Sequence, residues 1–208
     1  MTKKRIPNQT KSKPTRAKLY ITGESPLVEE YAELCAERGY EVFVQWNVTG
    51  KKRKTEKKFR QSNIIPAKTT LALELTNTDL DQKRRNLQKI DKALLPTHAI
   101  ISTSVTVAAS EQATWINRKH RLVGFGALPT FFRTNLVEVA PTVHSPKETV
   151  EVVQRFFHSL GKETELVQDR VGLVFPRIVC QVVNEATFAL QDDVASPSDI
   201  DTAMKLGL

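Results

Sequence analysis

The chain has 208 residues, a hydrophobic fraction of 40% and a formal net charge of +8, which suits one domain with a real core, or one domain with a small appendage. No apolar run approaches the ~18–20 residues needed to span a bilayer, and the basic start MTKKRIPNQTKSKPTRAK has no apolar block behind it, so it does not read as a secretory signal. Cys35 and Cys180 stand apart without metal-ligand spacing, the pattern of two reduced thiols in a cytoplasmic protein and not of a metal site.

The positive charge is concentrated. Residues 1–18 carry seven Lys/Arg and no acid, and residues 51–60, KKRKTEKKFR, carry seven Lys/Arg and one Glu. The remainder is mildly acidic, so the basicity belongs to a tail and a loop. Pro7, Pro14 and the alternation of Lys, Ser and Thr predict a disordered tail over 1–17.

From Lys18 onward the elements alternate. The strand LYIT leads to a helix expected from Ser25, with Ser25 as its cap and Pro26 at the first helical position. Leu27, Tyr31, Leu34 and Cys35 form its apolar face, Gly39 ends it, and EVFVQW is the next strand. After the basic loop come the strand TLALEL and a helix around Leu80–Leu95 stopped by Pro96. HAIIST, a helix around Ala109–Ile116 and RLVGF continue the pattern, and LVEV at 136–139 reads as a strand. Ser145, Pro146 and Glu148 predict a capping-box start for ETVEVVQRFFHSL, closed by Gly161, and ETELVQ is the last strand. The fold class is α/β: a Rossmann-like, mostly parallel sheet with helices on both faces over 18–171.

After Gly172 the texture changes to a long helix, FPRIVCQVVNEATFALQDD. It is apolar at Ile178, Val179, Val182, Val183, Ala186 and Leu190. Ser196, Pro197 and Asp199 start a second, short helix. A two-helix arm over 172–208 with so wide a stripe must pack on the body or on another chain.

The turn after the first strand has the outline of a dinucleotide-binding βαβ unit. Glycines in such a turn let the backbone approach a diphosphate, whose charge meets free N–H groups and the positive helix end. Gly23 matches the first glycine, but Ser25 and Val28 stand at the next two. Pro26 removes an N–H donor, and Glu24, Glu29 and Glu30 bring negative charge. At the end of the second strand, Trp46 occupies the position of a ribose-binding acid. Gly23, Ser25 and Glu74 are the candidate residues of this degenerate cofactor site.

Three segments together resemble the L-3-hydroxyacyl-CoA dehydrogenase (3-hydroxybutyryl-CoA dehydrogenase) family: the opening βαβ ending in AERGYEVFVQW; RLVGFGALPTFFRTNLVEVAPTVHSPKETVEVVQRFFHSLGKETELVQDRVG; and NEATFALQDDVASPSDIDTAMKLG. DIDTAMKLG, and LVEV with LGK downstream, are the most specific parts, and the resemblance is weakest over 47–68. It implies a Rossmann-like domain, a helical dimerising domain, and hydride transfer from the 3-hydroxyl of an acyl-CoA to NAD. It also implies a histidine as general base, a carboxylate that orients it, and a serine and an asparagine that hydrogen-bond near the reacting oxygen.

The orienting carboxylate falls on Glu138. The histidine position is Gly126, the serine position Val105 and the asparagine position Pro176. Ser104 and Thr106 flank Val105, and Ser104 is the candidate substitute. His98, His120, His144 and His158 do not match the base position and read as surface or strand-end residues. Family members continue beyond the AMKLG-like run, so 172–208 reads as a truncated arm. Its 175–191 helix is then expected to be covered in a homodimer, with exchange of arms as one form.

Lys51, Lys52, Arg53, Lys54, Lys57, Lys58 and Arg60 have three readings. They form a solvated loop, they meet the phosphates of a CoA-like ligand, or they join the tail to bind nucleic acid or another polyanion. Three functions follow in turn. The first is a catalytically degraded homologue kept as a binding or assembly scaffold. The second is a working NAD-dependent dehydrogenase using Ser104, Glu138 and a displaced histidine. The third is a polyanion-binding module.

Overall fold

The computed structural model describes residues 17–47, 58–130 and 133–207. The strands are β1 (Lys18–Gly23), β2 (Glu41–Trp46), β3 (Arg60–Gln61), β4 (Thr69–Leu75), β5 (Ile100–Thr103), β6 (Leu122–Phe125), β7 (Leu136–Pro141) and β8 (Glu163–Leu166). The helices are α1 (Leu27–Glu37), α2 (Leu80–Ala93), α3 (Ala109–Ala113), α4 (Lys147–Ser159), α5 (Phe175–Gln191) and α6 (Pro197–Gly207). The strands form one sheet in the order β3-β2-β1-β4-β5-β6-β7-β8. Every pairing is parallel except β6 with β7. The order reverses between β1 and β4, which makes their carboxyl ends the crevice of the fold.

Two apolar layers cover the sheet. On one face, Leu27, Val28, Tyr31, Ala32 and Cys35 of α1 and Val153, Phe156 and Phe157 of α4 are buried with β-strand residues such as Ile21 and Phe125. On the other, Leu87 and Ile90 of α2 and Ala109 and Ala113 of α3 pack with Tyr20 and Ile100. Fully burying a side chain such as Phe157 contributes about 1.5–3 kcal/mol. Two buried ion pairs, Lys83–Glu74 and Arg121–Asp91, sit at the α2 side.

Local chemistry explains most ends and corrects some. Gly39, at φ +90°, lets its N–H reach Ala36 O while Tyr40 N–H reaches Cys35 O, the paired bonds of a Schellman stop. α1 starts after Pro26, which is its N-cap, and Ser25 Oγ bonds the Glu29 carboxylate at 2.9 Å instead of capping. Ser145 does not cap α4 either. Its hydroxyl donates to Leu122 O at 2.7 Å, and its oxygen accepts Thr142 N–H at 3.0 Å instead of a helix N–H. Ser196 and Asp199 do form the expected start of α6, with Asp199 N–H on Ser196 Oγ and that hydroxyl on the Asp199 carboxylate. α3 ends at Ala113, short of Ile116. Arg60, the last residue of the basic run, forms with Gln61 an edge strand on β2. Among the described residues, no helix is long and apolar enough to cross a membrane.

The arm is the exception to burial. Pro176 is the buried residue of α5, and α6 has none.

Candidate functional site

At the β1–β4 crevice the backbone is tight. Gly23 has φ +149°, and a Cβ there would lie 2.5 Å from the Leu75 carbonyl carbon, so only glycine fits the first position. The next residue turns inward. The Glu24 carboxylate accepts from Asn77 N–H at 2.9 Å, Thr78 N–H at 3.2 Å and Thr78 Oγ1 at 2.7 Å. These donors belong to the loop after β4, so Glu24 spans the crevice from one lip to the other. Val28 is fully buried against the sheet, and its N–H is already bonded to Glu24 O. Glu30 accepts from Thr130 N–H at 3.2 Å, tying α1 to the loop after β6. Burial raises its pKa above the ordinary carboxylate value, against the opposing pull of that bond. Trp46 packs on Phe59, with ring centres 6.5 Å apart.

Glu74 lies below this crevice, not in it. It is fully buried and 2.6 Å from Lys83 Nζ. It also accepts from Thr76 N–H and Oγ1, Asn86 Nδ2 and Ser102 Oγ. A carboxylate so enclosed is an interior group.

Around β7 the structure brings together three of the four positions implied for chemistry. Gly126 N–H bonds Glu138 O at 3.0 Å, and a Cβ on Gly126 would stand 3.7 Å from Glu138 Oε2, 3.7 Å from Pro176 Cγ and 3.3 Å from Leu173 Cδ1. A side chain at 126 would therefore point at the Glu138 carboxylate, as a base at that position must. With glycine there, Tyr31, Gly126, Leu136, Glu138, Phe175 and Pro176 line a cavity of about 170 Å³. The Glu138 oxygens are held by the start of α5: Oε2 accepts Val174 N–H at 3.0 Å and Oε1 accepts Phe175 N–H at 2.7 Å. Glu138 thus acts as a capping acceptor for that helix.

Ser104 is not brought to Glu138. It is fully buried, within 3.5 Å of Ser102 O and Gln112 Nε2, and its Oγ would collide with a Cβ at Gly124. None of the four histidines lines the cavity. His120 faces Pro96 O and His158 faces Thr164. Tyr31 does line it, with a hydroxyl pKa pushed up by burial and a ring edge-on to Phe125 at 5.6 Å.

Of the basic run, Lys51, Lys52, Arg53, Lys54 and Lys57 lie outside the described residues, as does the tail to residue 16. Lys58 pairs with Glu37 at 3.1 Å and Arg60 with Glu41 at 3.2 Å, both at the surface. Sequence reasoning missed Asn77, which donates to Ala127 O and accepts from Thr103 Oγ1. It also missed Asp169, which accepts Ala109 and Ser110 N–H at 2.7 and 2.6 Å. Neither residue stands in a local pattern that would single it out.

The strand order, the switch-point crevice and the glycine held against β4 define a dinucleotide-binding-type α/β domain carrying a helical arm. Residues 62–170 match the model of the 3-hydroxyacyl-CoA dehydrogenase NAD binding domain, and 172–208 match that of the 3-hydroxyacyl-CoA dehydrogenase C-terminal domain. The chain belongs to the 3-hydroxyacyl-CoA dehydrogenase family. A probable 3-hydroxybutyryl-CoA dehydrogenase of Bacillus subtilis is 26% identical over 166 residues, covering 76% of this chain and 58% of that one. The mitochondrial hydroxyacyl-coenzyme A dehydrogenase of Sus scrofa is 28% identical over 139 residues, covering 67% and 44%. This chain thus spans about half the length of such relatives. The solved (S)-3-hydroxybutyryl-CoA dehydrogenase of Ralstonia eutropha superposes with a TM-score of 0.75 at 24% identity, over 93% of this chain and 78% of that one. The NAD-dependent 5-formyl-3-hydroxy-2-methylpyridine 4-carboxylic acid 5-dehydrogenase superposes at 0.79 with 17% identity, over 93% and 71%. Both bear on the fold.

Proposed function

We propose that this chain is a catalytically degraded member of its family that serves as a binding or assembly scaffold. The observation that carries the reading is the pairing of Gly126 with Glu138. The position facing the carboxylate offers no base, and the carboxylate is held by the first N–H groups of α5. A general base typically contributes ~10²–10⁴-fold to rate, and the serine and asparagine positions, Val105 and Pro176, add no polar group. Ser104 is enclosed in the interior, which argues against its acting as a substitute.

The cofactor turn supports the same reading. A diphosphate needs open backbone donors at the helix start. Here Pro26 has none, Val28 N–H is taken by Glu24 O, and the donors across the crevice are held by the Glu24 carboxylate. These residues do not fit a dinucleotide's diphosphate. Assembly would use the exposed apolar side of α5, where Val183 is 55% and Leu190 42% exposed. Homodimerisation through residues 175–191 is the simplest form.

The test is NADH oxidation with acetoacetyl-CoA, run beside calorimetry with NAD and with CoA. No turnover and no NAD heat are expected. Turnover near that of a working family member would overturn the proposal, and it would favour the altered-site dehydrogenase instead.

A further inference from the structure

The outer face of α2 is cationic. Asp79 caps the helix and Asp81 lies in its first turn, but past Gln82 its exposed charges are Arg84, Arg85 and Lys92. Asp91, the remaining acid of the helix, is buried and 2.6 Å from Arg121. Lys83 is buried on Glu74, and Lys89 is tied to Tyr20 and Gln45 of the sheet. Residues 115–119 run alongside. Arg84 stands over the Trp115 ring at 4.9 Å, Asn117 N–H reaches the Asp91 carboxylate at 3.1 Å, and Arg118 reaches Asp91 O at 2.8 Å. The segment therefore follows α2 toward its end and adds Arg118 and Lys119 to that side.

These charges are held in place but not neutralised. Arg84 rests on an indole, Arg85 on Gln82 Oε1 and Arg118 on a backbone carbonyl. Among the described residues, none of Arg84, Arg85, Lys92, Arg118 and Lys119 pairs with a carboxylate. The exposed acids from 79 to 121 are Asp79, Asp81 and Glu111, each at a helix start. The face also lacks an apolar centre: from 81 to 121, Leu95 is the one exposed large apolar residue. A protein interface is built around an apolar core, and a helix on a membrane surface buries an apolar face. Binding to a phosphate backbone needs neither, because Lys and Arg supply it.

We propose that the outer face of α2, with Arg118 and Lys119 beside it, binds the phosphate backbone of duplex nucleic acid without reading its sequence. The inference goes beyond the scaffold reading and does not depend on it, since the face lies away from both the β1–β4 crevice and Glu138. Arginines already fixed by neutral partners lose little side-chain freedom when they meet phosphates.

The probe is a fluorescein-labelled DNA duplex of about 20 base pairs and mixed sequence, titrated with the full chain across a range of salt and followed by anisotropy. Arg85→Glu with Lys92→Glu changes two exposed residues at i and i+7, on one line of the helix. It should weaken binding at least about tenfold and lower the slope of log affinity against log salt by about 2. Glutamine at both positions should give an intermediate loss, a gradation that misfolding would not produce. Lys147→Glu with Arg155→Glu makes the same change in net charge at exposed positions of α4, across the sheet, and should keep affinity within about threefold. Equal losses in the two Glu pairs, an unchanged affinity in the α2 pair, or no binding of the duplex would overturn the proposal. The tail and residues 51–57 are the same in every variant, so binding carried by them alone would appear as the unchanged α2 pair. Equal affinity for polyglutamate or for phosphatidylserine vesicles would also overturn it, because the face would then take an acidic protein or a membrane as readily. Failure of the scaffold reading appears separately, as NADH turnover.

Discussion

Glu74→Gln distinguishes an interior carboxylate from a ligand contact. Both side chains of the Glu74–Lys83 pair are fully buried, 2.6 Å apart. Besides Glu74, the ammonium has Thr76 O at 2.8 Å. Burial pulls the Lys83 pKa below its ordinary value, and the charge and hydrogen bond of Glu74 oppose that pull. Removing one partner of a buried pair costs about 3–5 kcal/mol, because the other charge is stranded. Glutamine keeps the shape and one acceptor, so the expected loss is about 3 kcal/mol. That is a large share of a native stability of about 5–15 kcal/mol, and in a chain of this size it lowers Tm by about 6–12 °C. Lys83→Met leaves Glu74 with donors from Thr76, Asn86 and Ser102, so its cost should be smaller, about 1–3 kcal/mol. The double variant should recover part of the sum, with a coupling of about 2 kcal/mol. Urea unfolding at constant m measures all three. A loss below about 1 kcal/mol for Glu74→Gln, or strict additivity, refutes the argument; a ligand-binding carboxylate would leave stability intact.

Three further outcomes are expected. Gly23→Ala places a Cβ 2.5 Å from the Leu75 carbonyl carbon at φ +149° and should destabilise by about 3 kcal/mol in thermal or chemical unfolding; a neutral result would mean that β1 and β4 part easily there. Glu138→Ala removes the acceptor of Val174 and Phe175 N–H. Amides of the first α5 turn should then exchange about 5–30-fold faster, the equivalent of a lost cap of about 1–2 kcal/mol, and unchanged exchange would deny the capping role. Cys35 is buried, with its thiol pKa pushed up by burial, and Cys180 is exposed. A disulfide reagent at pH 8 should therefore leave Cys35 unreacted until the protein unfolds; native labelling of Cys35 would contradict the packing of α1.

The fold was legible because its signals are local. Alternating apolar runs gave β1, β2, β4 and β5, and Gly39 and the Ser196–Asp199 pair marked helix ends through bonds no more than five residues long. What escaped was non-local. Ser145 has the spacing of a cap, yet Leu122 O, 23 residues back, holds its hydroxyl. Lys83 sits in the charged run LDQKRRN, and only the register of α2 on β4 turns that one cation inward. The assignment of Gly126, Val105 and Pro176 to the base, serine and asparagine positions comes from resemblance alone. The bonds from Glu138 to the start of α5 could not be read from sequence, because their donors lie 36 and 37 residues downstream.

One physical device recurs along the carboxyl edge of the sheet. Glu24, Glu30, Glu138 and Asp169 each accept backbone N–H groups from a loop or a helix start. Backbone N–H groups at loop turns and helix starts are the kind that otherwise receive a bound anion. An anion fixed by the chain competes with a free one at an advantage, because its own entropy of association was lost on folding. A phosphate at this turn would have to take over the two backbone N–H groups and the hydroxyl that Glu24 holds, so it would exchange one set of charged hydrogen bonds for another and keep only the difference between them. The same bonds hold the loops and the start of α5 in place. These acids are thus structural ties, and deleting one of them loosens the element it holds.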